Sequence, residues 1–257
     1  MNTRRIPVTA RTRAPTGRTN AHVLGSDDAL LVDPAALTDD LADAIESAGA
    51  AHVAVTHHHP DHVSAVAECA REYDLAVWAR AGRETDFAEA TGIDPDRTFS
   101  AGDSLPAADG VPILATAGHA PEHVAFGTGD GYVSGDLAVA EGSVVVGVPE
   151  GDMRAYLSSL RRLHARAPET LYPGHGPVIE DPRAACRRLI EHRYRRERAV
   201  AAAVEGGAST PAEIVDAAYE KDVSAVRDLA RATVVAHLEK LAVEDAIRWD
   251  GERASPV

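Results

Sequence analysis

The chain has 257 residues, which suits one large domain or a large domain with a small second one. Hydrophobic residues make up 45% of it and charged residues 26%, values typical of a globular protein, and no apolar run reaches the length of a membrane-spanning helix. The formal net charge of −14 disfavours binding to nucleic acid and to anionic membrane surfaces.

The first part of the chain alternates predicted strands with predicted helices. Apolar runs predict strands at 52–55, 75–79 and 111–117, and a pair of strands around a Ser-Asp-Asp turn within 22–32. Helical spacing predicts a helix that Thr38 caps and Gly49 ends, a helix after His62, and a helix over 84–92.

The second part adds hairpins to this alternation. Residues 123–127 and 131–134 flank a Thr-Gly-Asp turn and predict a β-hairpin. Strands are predicted at 142–148 and 170–173, on either side of a helix over 152–167. Hairpins together with the alternation of strands and helices favour a mixed α/β sandwich over a purely parallel sheet.

The character of the chain changes near residue 182. We predict a first domain at 1–182, a connecting arginine-rich helix at 183–207, and a small module at 208–257. Within the module, Thr210 and Ser224 are predicted to cap two helices, and residues 245–249 predict a short strand. Two helices followed by a strand resemble a small winged-helix module.

A dense polar run, Thr-His-His-His-Pro-Asp-His, occupies residues 56–62 between a predicted strand and a predicted helix. Within it, His57, His59, Asp61 and His62 have the spacing H-x-H-x-D-H, and imidazole and carboxylate are the usual ligands of Zn²⁺. A loop at the carboxyl end of a strand is where α/β sheets place ligands. The run therefore predicts a loop that faces two adjacent metal ions, although alone it is also compatible with a solvated loop that binds metal adventitiously.

Three further candidate ligands lie far from this run. His119, Asp136 and His175 each follow a predicted strand, and each has a glycine beside it that lets the backbone approach closely. Their convergence at strand ends favours a built metal site over an adventitious one. His58 and His123 are predicted to be a spacer and an outer residue, and no role is assigned to His22, His52, His164 and His237.

The ordered series THHHPDH, GH, SGD and PGHGP resembles the metallo-β-lactamase superfamily over about residues 15–180. This resemblance implies an α+β fold of the αββα sandwich type, with a two-metal site at one edge. It implies that one metal is held by His57, His59 and His119, and the other by Asp61, His62 and His175, with Asp136 as the bridge. The C-terminal part resembles the branch of β-lactamase-like protein 2 and glyoxalase II-like proteins.

The resemblance implies a metal-dependent hydrolase with two divalent ions as cofactors. Zn²⁺ is the default ion and Fe or Mn is compatible. A hydroxide held between the ions would attack the substrate, with Asp61 orienting it and Asp136 joining the two sites. The chain contains no Gly-rich phosphate motif and no G-x-S-x-G elbow that would favour a nucleotide-binding protein or a serine hydrolase.

Three functions stay open at this point. A small acyl or thioester substrate, as for hydroxyacylglutathione hydrolase, ranks ahead of an RNA or other phosphodiester. A non-enzymatic winged-helix protein that binds nucleic acid is the third, and iron-dependent sulfur dioxygenase chemistry is a further variant. Between residues 208 and 250 the module has five basic and nine acidic side chains, so we expect it to pack against the first domain or another subunit of a homo-oligomer.

The arginine-rich helix supplies the candidate substrate contacts. His192 and Arg193 stand first in its family-like motif, and an arginine patch suits a carboxylate or phosphate group. The alternative is that these arginines pair with Glu191, Glu197 and other surface acids.

The sequence also predicts a compartment. Two isolated cysteines, Cys69 and Cys186, suit a reducing cytoplasm, and no apolar stretch follows Arg4 and Arg5 as it would in a signal peptide. We therefore expect a cytoplasmic protein without membrane partners. An acidic chain with only two lysines is typical of a salt-loving source, and codon bias toward arginine is the alternative.

Overall fold

The computed structural model describes residues 1–257 and contains two β-sheets that face each other. The first sheet has six strands, β1 (Thr3–Thr9), β2 (Arg18–Leu24), β3 (Ala29–Val32), β4 (Ala50–Ala54), β5 (Ala76–Arg80) and β6 (Arg97–Phe99), in that spatial order. Strands β1 to β3 pair antiparallel, and β3 to β6 pair parallel.

The second sheet has five strands, β7 (Ser104–Leu105), β8 (Val111–Ala115), β9 (Val124–Gly127), β10 (Gly131–Gly135) and β11 (Thr170–Pro173), also in chain order. Neighbours from β7 to β10 are antiparallel, and β10 pairs parallel with β11. The predicted hairpin is therefore confirmed as β9–β10.

Helices cover the outer faces of both sheets and also form most of the C-terminal part of the chain. They are α1 (Asp39–Ser47), α2 (Pro60–Val63), α3 (Val66–Glu72), α4 (Glu84–Thr91), α5 (Met153–Arg166), α6 (Pro182–Glu205), α7 (Pro211–Ala218) and α8 (Arg227–Val243). The predicted caps Thr38 and Thr210 are confirmed, the latter in a full capping box with Glu213. None of these helices combines the length and the apolar character that crossing a membrane requires.

Three apolar layers hold this arrangement together. Leu30, Phe126 and Val133 are fully buried between the two sheets. One outer layer packs α1 and α3 on the first sheet, and the other packs α5 and α6 on the second sheet. Because burial of each large apolar side chain stabilises the fold by roughly 1.5–3 kcal/mol, these layers fix how the strand ends meet. The predicted αββα sandwich is confirmed.

The last fifty residues form a separate apolar cluster against the C-terminal half of α6. Val204 of α6, Ile214 of α7 and Leu238 of α8 are buried together, with a hairpin of β12 (Ile247–Trp249) and β13 (Ala254–Pro256) beside them. The predicted strand at 245–249 is confirmed as β12. The division of the chain into domains and the winged-helix interpretation stay predictions.

Two local predictions are wrong. Residues 142–148 form a loop rather than a strand, because the carbonyls of Val144 and Val145 accept hydrogen bonds from Arg193 and His119 instead of from a neighbouring strand. Ser224 does not cap α8. It begins a 3₁₀ turn, Ser224–Val226, and its own amide donates to Asp222.

Candidate metal centre

Seven polar side chains converge at one edge of the sandwich. They come from four strand ends. His57 and His59 follow β4, Asp61 and His62 lie in the first turn of α2, His119 follows β8, Asp136 follows β10, and His175 follows β11. Helix α2 begins at Pro60, inside the histidine run, so its first turn aims Asp61 and His62 back toward the strand ends. All seven are the ligands implied by the sequence resemblance.

Three imidazoles form the first group. The Nε2 atom of His57 lies 3.0 Å from Nδ1 of His59, and Nε2 of His119 lies 3.0 Å from the same atom. The three nitrogens lie within 4.8 Å of one another. Nitrogen atoms that face one point at this spacing make a ligand set for a single cation.

Asp61, His62 and His175 form the second group. Nε2 of His62 lies 3.4 Å from Nε2 of His175, and the latter lies 3.5 Å from Oδ2 of Asp61. This second set of two nitrogens and one carboxylate oxygen also meets within 4.8 Å. It provides the mixed donors that Zn²⁺, Fe and Mn accept.

Asp136 lies between the two groups. Its Oδ2 is 3.6 Å from Nε2 of His119 and 3.5 Å from Nε2 of His175, and its Oδ1 is 3.7 Å from Nε2 of His62. Oδ1 is buried without a hydrogen-bond partner. Since a desolvated carboxylate oxygen without a partner is costly, this atom fits a position between two cations. The residues present therefore fit a dinuclear site.

The outer nitrogen of every one of the five histidines contacts an oxygen atom. The partners are the Thr56 hydroxyl for His57 (3.0 Å), Glu150 for His59 (2.8 Å), Asp33 for His62 (3.0 Å), the Val145 carbonyl for His119 (2.6 Å), and the Arg18 carbonyl for His175 (2.8 Å). Each outer nitrogen donates, so each neutral ring presents its lone pair to the centre. The tautomers required for metal binding are thus fixed by the protein.

Asp33 is a functional residue that the sequence reasoning missed. Its fully buried carboxylate accepts from the Thr56 amide and the Thr56 hydroxyl, both at 2.7 Å, and from His62 Nδ1 at 3.0 Å. The sequence presents it only as an aspartate before a proline at the end of a strand. Its left-handed backbone, with φ of 55°, is unusual for a residue other than glycine and marks a constrained position.

Two glycines make room for the centre. A Cβ atom on Gly174 would lie 2.6 Å from Cε1 of His62 and 2.7 Å from Oδ1 of Asp136. One on Gly135 would lie 2.5 Å from the Thr56 hydroxyl, and Gly135 also has a left-handed φ of 47°. Gly135 and Gly174 are thus required by close approach.

The protonation of the candidate ligands suits the binding of a cation. Burial and the surrounding imidazoles hold the pKa of His57 well below its ordinary value, so its ring is uncharged in neutral solution. Burial alone would lower the pKa of His62 as well, but the carboxylates of Asp33, Asp136 and Asp61 together outweigh burial and raise this pKa to about 9. Because the outer nitrogen of His62 donates to Asp33, the titrating proton lies on the inner nitrogen, where a cation replaces it. Cation binding therefore releases a proton and weakens as the pH falls.

The structure does not bring His192 and Arg193 to this centre. Arg193 is buried, with its guanidinium 5.1 Å from the centre of the Tyr156 ring and Nη2 donating to the Val144 carbonyl at 2.5 Å. His192 lies 3.4 Å from the Ser143 hydroxyl. Both contact the loop over residues 139–150 from behind. They thus lie behind one wall of the cavity, and a role in substrate binding stays a prediction.

Other expectations for the polar residues have mixed outcomes. His123 lies outside the candidate ligands, as expected, where its Nε2 accepts from the Asp136 amide at 3.1 Å. His22 and His237, to which the sequence assigned no role, are fully buried. Glu197 pairs with Lys240 at 2.8 Å and not with an arginine of its own helix.

A cavity of about 820 Å³ opens from the centre. One wall is the loop between β1 and β2, residues 11–16, and the opposite wall is the loop over residues 139–150. Leu229 and Ala232 of α8 complete the lining. This volume lies within the range of about 300–1,000 Å³ that is usual for small-molecule sites.

Comparison with protein families gives a match over most of this region. Residues 14–175 match the family model of the metallo-beta-lactamase superfamily. Among curated proteins, the chain is 26% identical to an atrochrysone carboxyl ACP thioesterase of Aspergillus fumigatus, over 82% of this chain and 71% of that protein. It is 30% identical to a beta-lactamase-like protein 2 homolog of Drosophila melanogaster, over 54% and 47%. It is 32% identical to a hydroxyacylglutathione hydrolase of Acidiphilium cryptum, over 60% and 62%.

The match therefore spans from about half to about seven tenths of the length of these relatives.

Solved structures share the fold over more of the chain. A metallo-beta-lactamase family protein from Thermus thermophilus superposes with a TM-score of 0.78 at 23% identity, over 99% of this chain and 98% of that one. A smaller structure in a di-iron-bound form superposes with a TM-score of 0.54 at 30% identity, over 68% and 94%.

We predict that Asp33→Asn weakens metal binding at the second group about 10- to 100-fold, because the amide can turn its NH₂ toward Nδ1 of His62 and no longer fixes the tautomer. Equilibrium dialysis with Zn²⁺ at fixed pH measures this change. Asp74→Asn is the matched control, since Asp74 also has a left-handed backbone, with φ of 53°, but is exposed. Equal metal affinity in wild type and Asp33→Asn would contradict the role given to Asp33.

Proposed function

Because the chain belongs to the metallo-beta-lactamase superfamily and is a metal-dependent hydrolase, we propose that it hydrolyses small acyl thioesters at a dinuclear site. One observation carries this proposal. Seven donors face a common centre, and the outer nitrogens of all five imidazoles are engaged so that their lone pairs point inward.

The residues proposed for the two cations follow the two groups described above. His57, His59 and His119 would hold one ion, Asp61, His62 and His175 the other, and Asp136 would join them. Two bound divalent ions, Zn²⁺ by default with Fe or Mn compatible, lower the pKa of water to near neutrality and polarise a carbonyl oxygen. The di-iron form of the structural neighbour supports keeping iron among the candidates.

The carboxylates of the chain are proposed to manage the proton of the attacking water. Asp61 lines the cavity, and its side chain is 18% exposed, so it can both reach the water and accept a hydrogen bond from it. Asp136 is more deeply enclosed, and we assign it the task of fixing the separation of the two groups. No serine or cysteine nucleophile is needed for this chemistry.

Two observations favour thioesters over phosphodiesters. Curated relatives include proteins named as a thioesterase and as a hydroxyacylglutathione hydrolase. The chain is also strongly acidic, with a net charge of −14, and a nucleic-acid substrate requires a basic face to neutralise its phosphates. Support for a nucleic-acid-binding role without catalysis is weaker still, because the donor set would then serve no purpose.

We predict that Asp136→Asn lowers thioester hydrolysis at least about 100-fold, because a neutral amide cannot balance two cations at once. Release of the thiol from an uncharged N-acetylcysteamine thioester measures hydrolysis. A single-stranded RNA is assayed in parallel as the alternative substrate. Asp130→Asn is the control, since Asp130 lies at the opposite end of β10 from Asp136, where it accepts from Thr128 and Tyr172. Full activity of Asp136→Asn, or cleavage of RNA without cleavage of any thioester, would contradict the proposal.

A further inference from the structure

The cavity beside the candidate metal centre has apolar walls that are open to solvent. Val139, Val148, Leu229 and Ala232 are partly exposed within the lining, and Val145 is 36% exposed. The residue before it, Val144, accepts a hydrogen bond from Arg193 through its carbonyl. Exposed apolar side chains that line a concave site next to reactive groups mark a surface for an apolar ligand.

Few charges in the cavity are free to bind a ligand. Away from the centre, the charged lining residues are Arg11, Arg13, Glu141 and Glu150. Arg13 forms a bidentate pair with Asp228 of α8 at 2.6 and 3.1 Å, and Glu150 binds His59 at 2.8 Å. One arginine and one glutamate remain. A ligand with several anionic groups would lose hydration here without gaining partners for each charge.

From these two observations, we infer that the cavity binds the acyl part of the substrate and selects an apolar acyl group much larger than lactoyl. This inference rests on the proposed thioesterase function. Helix α8 contributes Leu229 and Ala232 to the apolar wall, so the C-terminal part of the chain takes part in substrate selection. Leu229 is the residue that we assign to this selection, because it is the largest side chain that α8 presents to the cavity.

The test compares acetyl, butanoyl, hexanoyl and octanoyl thioesters of N-acetylcysteamine, with S-lactoylglutathione beside them. Because each buried methylene contributes roughly 0.8 kcal/mol, each added pair is expected to raise kcat/KM about tenfold until the cavity is filled. S-lactoylglutathione is expected to be hydrolysed more slowly than the hexanoyl thioester. If no thioester is hydrolysed, the proposed function fails as well. If all acyl lengths react equally, only the acyl selection is wrong.

Substitution of Leu229 tests the wall itself. Leu229→Asp is expected to reduce the ratio of hexanoyl to acetyl kcat/KM about tenfold, and Leu229→Ala about threefold, because the apolar contact is lost to different extents. Val243→Asp is the matched control, since it places the same charge on the same helix at a side chain that is already 59% exposed and lies outside the cavity. An unchanged ratio in both Leu229 variants, with native thermal unfolding of Leu229→Ala, would overturn the inference.

A second inference comes from contacts behind the cavity wall. Arg188 of α6 donates to the carbonyls of Gly142 at 2.5 Å, Val139 at 2.6 Å and Ala140 at 3.0 Å. Arg193, one and a half turns further along α6, donates to Val144 at 2.5 Å. The loop held in this way carries the Val145 carbonyl and the Glu150 carboxylate, which bind the outer nitrogens of His119 and His59.

The geometry thus points to Arg193 as a positioning residue for the first metal group only. The second group takes its outer contacts from Asp33 and from Arg18, on the opposite side of the centre. Arginine suits this position because its planar guanidinium can stack on Tyr156 while it donates to a carbonyl.

Two-step Zn²⁺ titration against a chelator of known affinity distinguishes positioning from general support. Arg193→Met is expected to weaken one of the two binding steps about 10- to 100-fold and to leave the other unchanged, and Arg193→Lys to restore part of the loss. Combination with Asp33→Asn is expected to weaken both steps. Arg195→Met is the matched control, since Arg195 lies on the exposed side of α6. Equal weakening of both steps in Arg193→Met, or none, would overturn the assignment.

Discussion

A buried carboxylate oxygen without a hydrogen-bond partner is the constraint on which this site depends. Asp136 lies between two groups of imidazoles, and its Oδ1 has no partner in the protein. The neutral rings around it cannot donate to it, since their outer nitrogens already hold the proton, and the inner nitrogen of His62 lies 3.7 Å from Oδ1, beyond hydrogen-bond distance. A positive charge between the groups would stabilise the unpartnered Oδ1 of Asp136 and would also accept the inward-facing lone pairs of the imidazoles. The fold, the outer hydrogen bonds and the glycines all serve to maintain this arrangement.

The arrangement requires long-range order, because the donors come from four strand ends and are distributed over more than a hundred residues. Buried apolar layers on both sides of each sheet set the positions of those ends. The outer contacts then orient the rings. Asp33 and Thr56 belong to the first sheet, whereas Val145 and Glu150 belong to a loop fastened to α6. The first group is therefore supported from both halves of the sandwich, and the second group by Asp33 and the Arg18 carbonyl beside the first sheet.

The candidate ligands were predictable from the sequence because each is a side chain with metal-binding chemistry, directly after an apolar strand. The supporting contacts were not. Asp33 reads as the end of a strand, and its burial arises only when Thr56 and His62 pack on it. The acceptor for His119 is the backbone carbonyl of Val145, and because every residue has such a carbonyl, the sequence does not identify it. The run GSVVVGV has the composition of a strand, but Arg188 and Arg193 occupy its carbonyls, so it becomes a loop and a cavity wall. Arg193 was a candidate substrate contact in the sequence, and its buried guanidinium donates to the Val144 carbonyl of the cavity wall.

The central claim is that the chain holds two cations in adjacent positions. Elemental analysis of the purified protein, after dialysis against Zn²⁺ and removal of loosely bound metal, measures this most directly. Two tightly bound equivalents per chain are expected. Binding of no metal, or of a single equivalent at saturating Zn²⁺, would contradict a dinuclear centre.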